Sequence, residues 1–122
     1  MSTSPVEILQ HIREEARFLS ETTAEKTVEE FIGDEVLKRA CVRAIEIIGE
    51  ASKKVPDEYK ATQPGIEWKK MADMRDRLIH DYFGVDYYIV FDVARNKAPD
   101  LLKQIELVLS PKERSLGDEL EI

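Results

Sequence analysis

The chain has 122 residues, a formal net charge of −7, and 43% hydrophobic and 35% charged residues, which fits one domain that can bury its own core. The acidic balance argues against a broad nucleic-acid-binding surface, because such surfaces neutralise phosphates with Lys and Arg; a concentrated basic site stays compatible with it. No run approaches the ~18 apolar residues of a membrane span, and the N-terminus lacks the pattern of a signal peptide. The one cysteine, Cys41, cannot form an internal disulfide, which suits a reducing compartment. From these features together we expect a cytoplasmic protein without a membrane contact.

Helical signals dominate the first half of the chain. Ser4 can cap a first helix that begins at Pro5. A short helical turn is predicted to stop at Gly33, and a long helix to follow over about 34–55. Gly49 lies inside this long helix, where glycine costs roughly 1 kcal/mol relative to alanine. Either a neighbouring helix approaches closely at this glycine, or the glycine is simply tolerated.

The second half continues this pattern after a loop over 56–65, which has room for one helical turn. Helices are predicted over about 66–83 and over 87–96, and the second is apolar nearly all round, which favours burial between helices or at a subunit contact. Pro99 either begins a last helix or kinks the preceding one, and the apolar pattern ends at Ser110. We therefore predict an all-α, antiparallel up-and-down bundle of four to five helices over residues 1–110 and a flexible acidic tail over 111–122.

Residues that could carry chemistry are concentrated in RDRLIHDYFG, residues 75–84. The chain has no GxGxxG, P-loop, HExxH, CxxC or GxSxG motif, so we expect neither a metal site nor a cofactor. On an ideal helix Arg75 and Tyr82 share one largely apolar face, whereas His80 points about 140° away from Arg75. Asp76, four residues before His80, can hold the imidazole and favour its protonated form.

Two interpretations of these residues stay open. In the first, they form a metal-free phosphodiester site, where His80 transfers a proton, Arg75 neutralises the phosphate and Tyr82 positions it. In the second, they are structural: Arg75 pairs with a buried acid, Tyr82 packs, and His80 is a cation that the helix dipole favours. The 140° offset means that one straight helix does not easily aim Arg75 and His80 at the same atom. Two copies meeting across a symmetric interface could do so, which leads to the hypothesis of a homodimer.

Three stretches, taken in order, resemble one known family. They are RAIEIIGEASKKVP at 43–56, the Pro-x-x-x-Trp before the motif helix, and MRDRLIHDYFGVDYYIVFDVARNKAPDLLKQIE at 74–106. Together they are similar to the HepT family of the HEPN superfamily, whose R-x4-H-x-Y signature corresponds to Arg75, His80 and Tyr82. The resemblance covers about residues 5–109.

This resemblance implies a HEPN-like bundle and a homodimer with the two motifs near its two-fold axis. It further implies a metal-independent endoribonuclease that acts on RNA as the toxin of a toxin–antitoxin pair. The implied partner is a minimal nucleotidyltransferase antitoxin of the MntA type, which attaches AMP to Tyr82. The added phosphate would block the site by charge and by volume.

Asp76 departs from the family pattern, which commonly has Asn after the motif arginine. We expect an acid here to tune the site by repelling RNA and by raising the basicity of His80. A second function therefore stays open, that of a non-catalytic helical dimer that binds and regulates a nucleotidyltransferase.

Overall fold

The computed structural model describes residues 4–80 and 84–120, with side chains as far as Pro111. Within these ranges the chain is all-α and contains no strand. The elements are α1 (Pro5–Thr23), α2 (Val28–Gly33), α3 (Glu35–Lys54), α4 (Asp57–Thr62), α5 (Trp68–His80), α6 (Tyr87–Asp92), a π-helical turn (Val93–Lys97) and α7 (Ala98–Leu120). The predicted all-α bundle is confirmed. The predicted turn before Gly33 is α2, the turn in the loop over 56–65 is α4, and the helix predicted over 87–96 is divided into α6 and the π-helical turn.

Side-chain caps mark the starts of α1, α3 and α6. The Ser4 hydroxyl accepts a hydrogen bond from the Glu7 N–H at 3.2 Å, and the Asp34 carboxylate accepts one from the Leu37 N–H at 3.0 Å. The carboxylate of Asp86 caps α6 in the same way. Each cap satisfies a backbone donor that has no partner inside its own helix, so these starts follow from local sequence.

The long helices pack in the order α5, α3, α1, α7. Helix α3 contacts both α5 and α1, and α1 contacts both α3 and α7. The core between them includes fully buried apolar side chains from α1, α3 and α7: Leu9, Ile12, Leu19, Cys41, Ile105 and Leu109. Helix α6 packs on α2 and α3, where the Phe31 and Phe91 rings lie 5.2 Å apart. As a result, α5 lies at one side of the bundle with α3 as its main support.

The chain passes from α6 to α7 through the π-helical turn at Val93–Lys97. The Ala98 N–H bonds to the Val93 carbonyl, five residues back. In an α-helix the ring of Pro99 would clash with the carbonyl four residues earlier, and a wider turn relieves that clash. Pro99 is therefore accommodated by widening the helix.

Helix α7 continues past Pro111 to Leu120, whereas the sequence predicted a helical end at Ser110. Proline removes one N–H, whose partner would be the Leu107 carbonyl. Because Leu107 is 77% exposed, water can satisfy that carbonyl. The flexibility predicted for 111–122 stays a prediction.

In the part of the chain that the structure describes, no helix is long and apolar enough to cross a membrane.

Candidate functional site

Helix α5 carries the predicted site residues and is anchored through its apolar side chains. Trp68 and Leu78 are buried, and the Trp68 indole N–H donates to the Gln63 carbonyl at 3.1 Å. Arg75 lies between these anchors and keeps 29% of its side chain exposed, while His80 is exposed at the described end of the helix. Tyr82 lies outside the described residues.

Gly49 brings α3 against α5 at the level of Arg75. A Cβ built on Gly49 would lie 2.1 Å from the Arg75 Cβ and 2.7 Å from the Met71 carbonyl oxygen. Both distances are far inside van der Waals contact, so only glycine fits here without moving a helix. Of the two explanations for this glycine, close helix approach is correct, and it fixes the position from which the Arg75 side chain leaves its helix.

Three charged side chains meet across the α3–α5 contact. The Asp76 carboxylate oxygen Oδ1 accepts a hydrogen bond from Arg75 Nη1 at 3.2 Å and also from Lys53 Nζ. The hydrogen bond from Lys53 contributes most to holding the pKa of the Asp76 carboxyl below its usual value, and the bond from Arg75 acts in the same direction. Two cations and one anion leave this cluster with a net charge of +1, which suits an anionic ligand.

Asp76 was expected to hold the His80 imidazole. Among the described residues its carboxylate bonds instead with Lys53 and Arg75, and no hydrogen bond joins it to His80. The structure therefore brings Arg75 and Asp76 together and leaves His80 on a separate, exposed part of the helix, in agreement with the helical geometry.

Lys53 is the residue at this site that sequence reasoning missed. It lies 23 residues from Asp76 along the chain, so no local pattern connects the two. One feature of the sequence could have indicated this contact: Lys53 follows Gly49 by one helical turn, so it lies on the side of α3 that a closely packed helix would face.

A ribonuclease family profile, HepT-like, matches residues 12–108. This match covers most of α1 and runs through to α7, with the whole R-x4-H-x-Y stretch inside it. The chain belongs to the HepT-like family. The family resemblance stated from the three sequence stretches is thereby confirmed.

Several HepT-like relatives match along most of their length. The chain is 43% identical over 106 residues to a candidate RNase of Caldanaerobacter subterraneus subsp. tengcongensis, covering 87% of this chain and 95% of that protein. It is 41% identical over 106 residues to a protein named probable ribonuclease HepT from Thermococcus cleftensis, covering 87% and 96%. A candidate RNase of Methanocaldococcus jannaschii is 39% identical over 101 residues, covering 83% and 84%. No match was found among solved structures.

Proposed function

We propose that this HepT-like chain is a metal-independent endoribonuclease, that it acts as the toxin of a toxin–antitoxin pair, and that a cognate nucleotidyltransferase silences it by attaching AMP to Tyr82. The observation that carries the proposal is the arrangement on α5. A partly exposed arginine, Arg75, belongs to a cluster with a net charge of +1, and an exposed histidine follows on the same helix.

The proposed reaction needs only these groups and the RNA. His80 takes the proton of a ribose 2′-OH, and the resulting oxygen attacks the neighbouring phosphorus. The bond from phosphorus to the 5′-oxygen breaks, and that oxygen leaves with a proton from an imidazolium or from water. Arg75 stabilises the negative charge that builds up on the phosphate oxygens.

A homodimer would bring two such helices together. It is supported by the position of Arg75 and His80 on different sides of one helix, and by apolar side chains exposed in a single chain: Ile79 on α5 and Tyr88, which is 65% exposed, on α6. Light scattering at micromolar concentration tests it, and a monomer would contradict the hypothesis that two motifs act together.

The catalytic roles are tested with Arg75→Ala and His80→Ala. We expect each substitution to lower RNA cleavage by about 10²–10⁴-fold, in the range for a lost acid/base or charge-stabilising group, and to relieve growth arrest. Lys69→Ala is the matched control, because Lys69 lies on α5 and, among the described residues, pairs with Asp73 on the solvent side rather than with the charged cluster. Equal cleavage by the wild type and both site variants would remove the enzyme proposal.

In that case the alternative function, a non-catalytic dimer that binds and regulates a nucleotidyltransferase, would be favoured. The net charge of −7 and the acid at position 76 support this alternative.

The proposed attachment of AMP has its own test: mass spectrometry after co-expression with a nucleotidyltransferase encoded next to this gene. We expect added AMP on the wild type and none on Tyr82→Phe, and an unmodified wild type would contradict it.

A further inference from the structure

Lys53 is the only residue of the charged cluster that α3 supplies among the described residues. Its ammonium reaches across the helix contact to Asp76, and it bonds to the same carboxylate oxygen that Arg75 contacts at 3.2 Å. One acid is therefore shared by two cations that come from different helices.

The backbone supports this reach of Lys53. Gly49 lies one turn before Lys53 and allows the α3 backbone to come within van der Waals contact of Arg75. Any larger residue at 49 would push α5 away, and Lys53 would then have farther to reach to Asp76. The close approach and the ion pair are thus parts of one arrangement.

Asp76 would have a different effect without Lys53. Its neighbour Arg75 would be its one remaining cation in the cluster, and the pair would carry no net charge toward a phosphate. With Lys53 present, the cluster keeps one positive charge in excess. Arg75 also keeps surface for a ligand, because Nη1 is its donor to Asp76 and 29% of its side chain stays exposed.

We propose that Lys53 is a positioning residue of the ribonuclease site, whose ammonium neutralises Asp76 and so leaves the Arg75 charge available to an RNA phosphate. This inference rests on the proposed function. It assigns to Lys53 the compensation for an acid that would otherwise weaken the site.

The test is a set of cleavage measurements on Lys53→Met, with Lys54→Met as the matched control. Lys54 has the same charge and is the next residue, but it lines a separate groove of about 330 Å³ between α1 and α3, together with Ile8 and His11. We expect Lys53→Met to lower kcat/KM about fivefold, the fold-change that corresponds to the upper end for an exposed ion pair. Lys54→Met should change kcat/KM by less than twofold, and Lys53→Arg, which keeps the positive charge, should keep kcat/KM near the wild-type value.

A second background separates action through Asp76 from direct contact with RNA. If Lys53 acts through Asp76, Lys53→Met should cause no further loss in the Asp76→Asn protein, because no carboxylate is left to neutralise. An equal loss in both backgrounds, or equal effects of Lys53→Met and Lys54→Met, would overturn the proposal.

The titration of the Asp76 carboxyl, followed by ¹³C NMR, gives a measurement that does not depend on cleavage. Removal of the Lys53 ammonium should raise the Asp76 pKa, whereas Lys54→Met should leave it unchanged. If the wild type cleaves no RNA, the proposed function fails and the role of Lys53 in a ribonuclease site fails with it, whereas this titration still decides whether the Lys53 ammonium neutralises Asp76. An identical Asp76 titration in the wild type and in Lys53→Met would overturn it.

Discussion

Gly49→Ala tests whether the α3–α5 contact is as close as the structure indicates. The new Cβ would lie 2.1 Å from the Arg75 Cβ and 2.7 Å from the Met71 carbonyl oxygen. Ordinary carbon–carbon contacts lie at ~3.5–4.0 Å, so the helices would have to separate by about 1.4 Å (3.5 minus 2.1). Both facing atoms are fixed to the α5 backbone, and no change of rotamer can relieve the clash.

The size and sign of the effect follow from two opposing contributions. Overpacking of this kind costs up to ~3 kcal/mol, whereas replacing a mid-helix glycine with alanine stabilises a helix by ~1 kcal/mol. We therefore expect Gly49→Ala to lower the free energy of unfolding by about 2 kcal/mol. With an unfolding entropy of ~2.1 cal/mol/K per residue and 122 residues, this lowers Tm by about 8 °C.

The assay is thermal unfolding followed by circular dichroism, with RNA cleavage measured on the same samples. Gly33→Ala is the matched control, because a Cβ at Gly33 meets no atom within 4 Å and its φ is not positive. We expect Gly33→Ala to leave Tm unchanged or slightly higher. A Tm for Gly49→Ala above that of the wild type would refute the reasoning, since the helix propensity of alanine would then outweigh any clash.

Two further predictions concern stability away from the site. In the capping box of α2 the Thr27 hydroxyl accepts from the Glu30 N–H at 3.1 Å, and the Glu30 carboxylate accepts from the Thr27 N–H at 3.0 Å. Thr27→Ala removes the first of these bonds; we expect the free energy of unfolding in urea to fall by about 1 kcal/mol, and no loss would contradict the cap. Burial and the nearby Glu14 raise the pKa of Glu15, so its carboxylate opposes folding at pH values above that pKa. Glu15→Gln should therefore raise Tm at pH 7. The gain should vanish near pH 3, where the wild-type glutamate and the substituted glutamine are both neutral. A lower Tm of the variant at pH 7 would contradict the expected cost of the Glu15 charge.

Features fixed by neighbouring residues were predictable from the sequence. The Ser4 and Asp34 caps are each made with a residue three positions later, so the starts of α1 and α3 could be predicted to within a residue. The helical spacing of Cys41, Ala44 and Ile48 in the sequence likewise matches their burial on one side of α3. Such features depend on helical periodicity and hydrogen-bond geometry alone.

Features that depend on a second helix were only partly predictable. The sequence left two explanations for Gly49, because its contact with Arg75 exists only once α3 and α5 pack together. The spacing of Asp76 and His80 in the sequence predicted that they would pair, whereas the Asp76 carboxylate bonds with Lys53 on another helix. In each case the outcome was decided by tertiary surroundings that one sequence does not display.

The widened turn at Val93–Lys97 has a consequence for how related chains can differ in length. A π-turn holds one residue more than an α-turn, so losing one residue there would leave an ordinary α-helix whose flanking parts keep their directions toward α1. When HepT-like sequences are laid side by side, we expect gaps of a single residue to gather at this turn. The shortened chains should also lack a proline equivalent to Pro99, since an unwidened helix has no room for its ring.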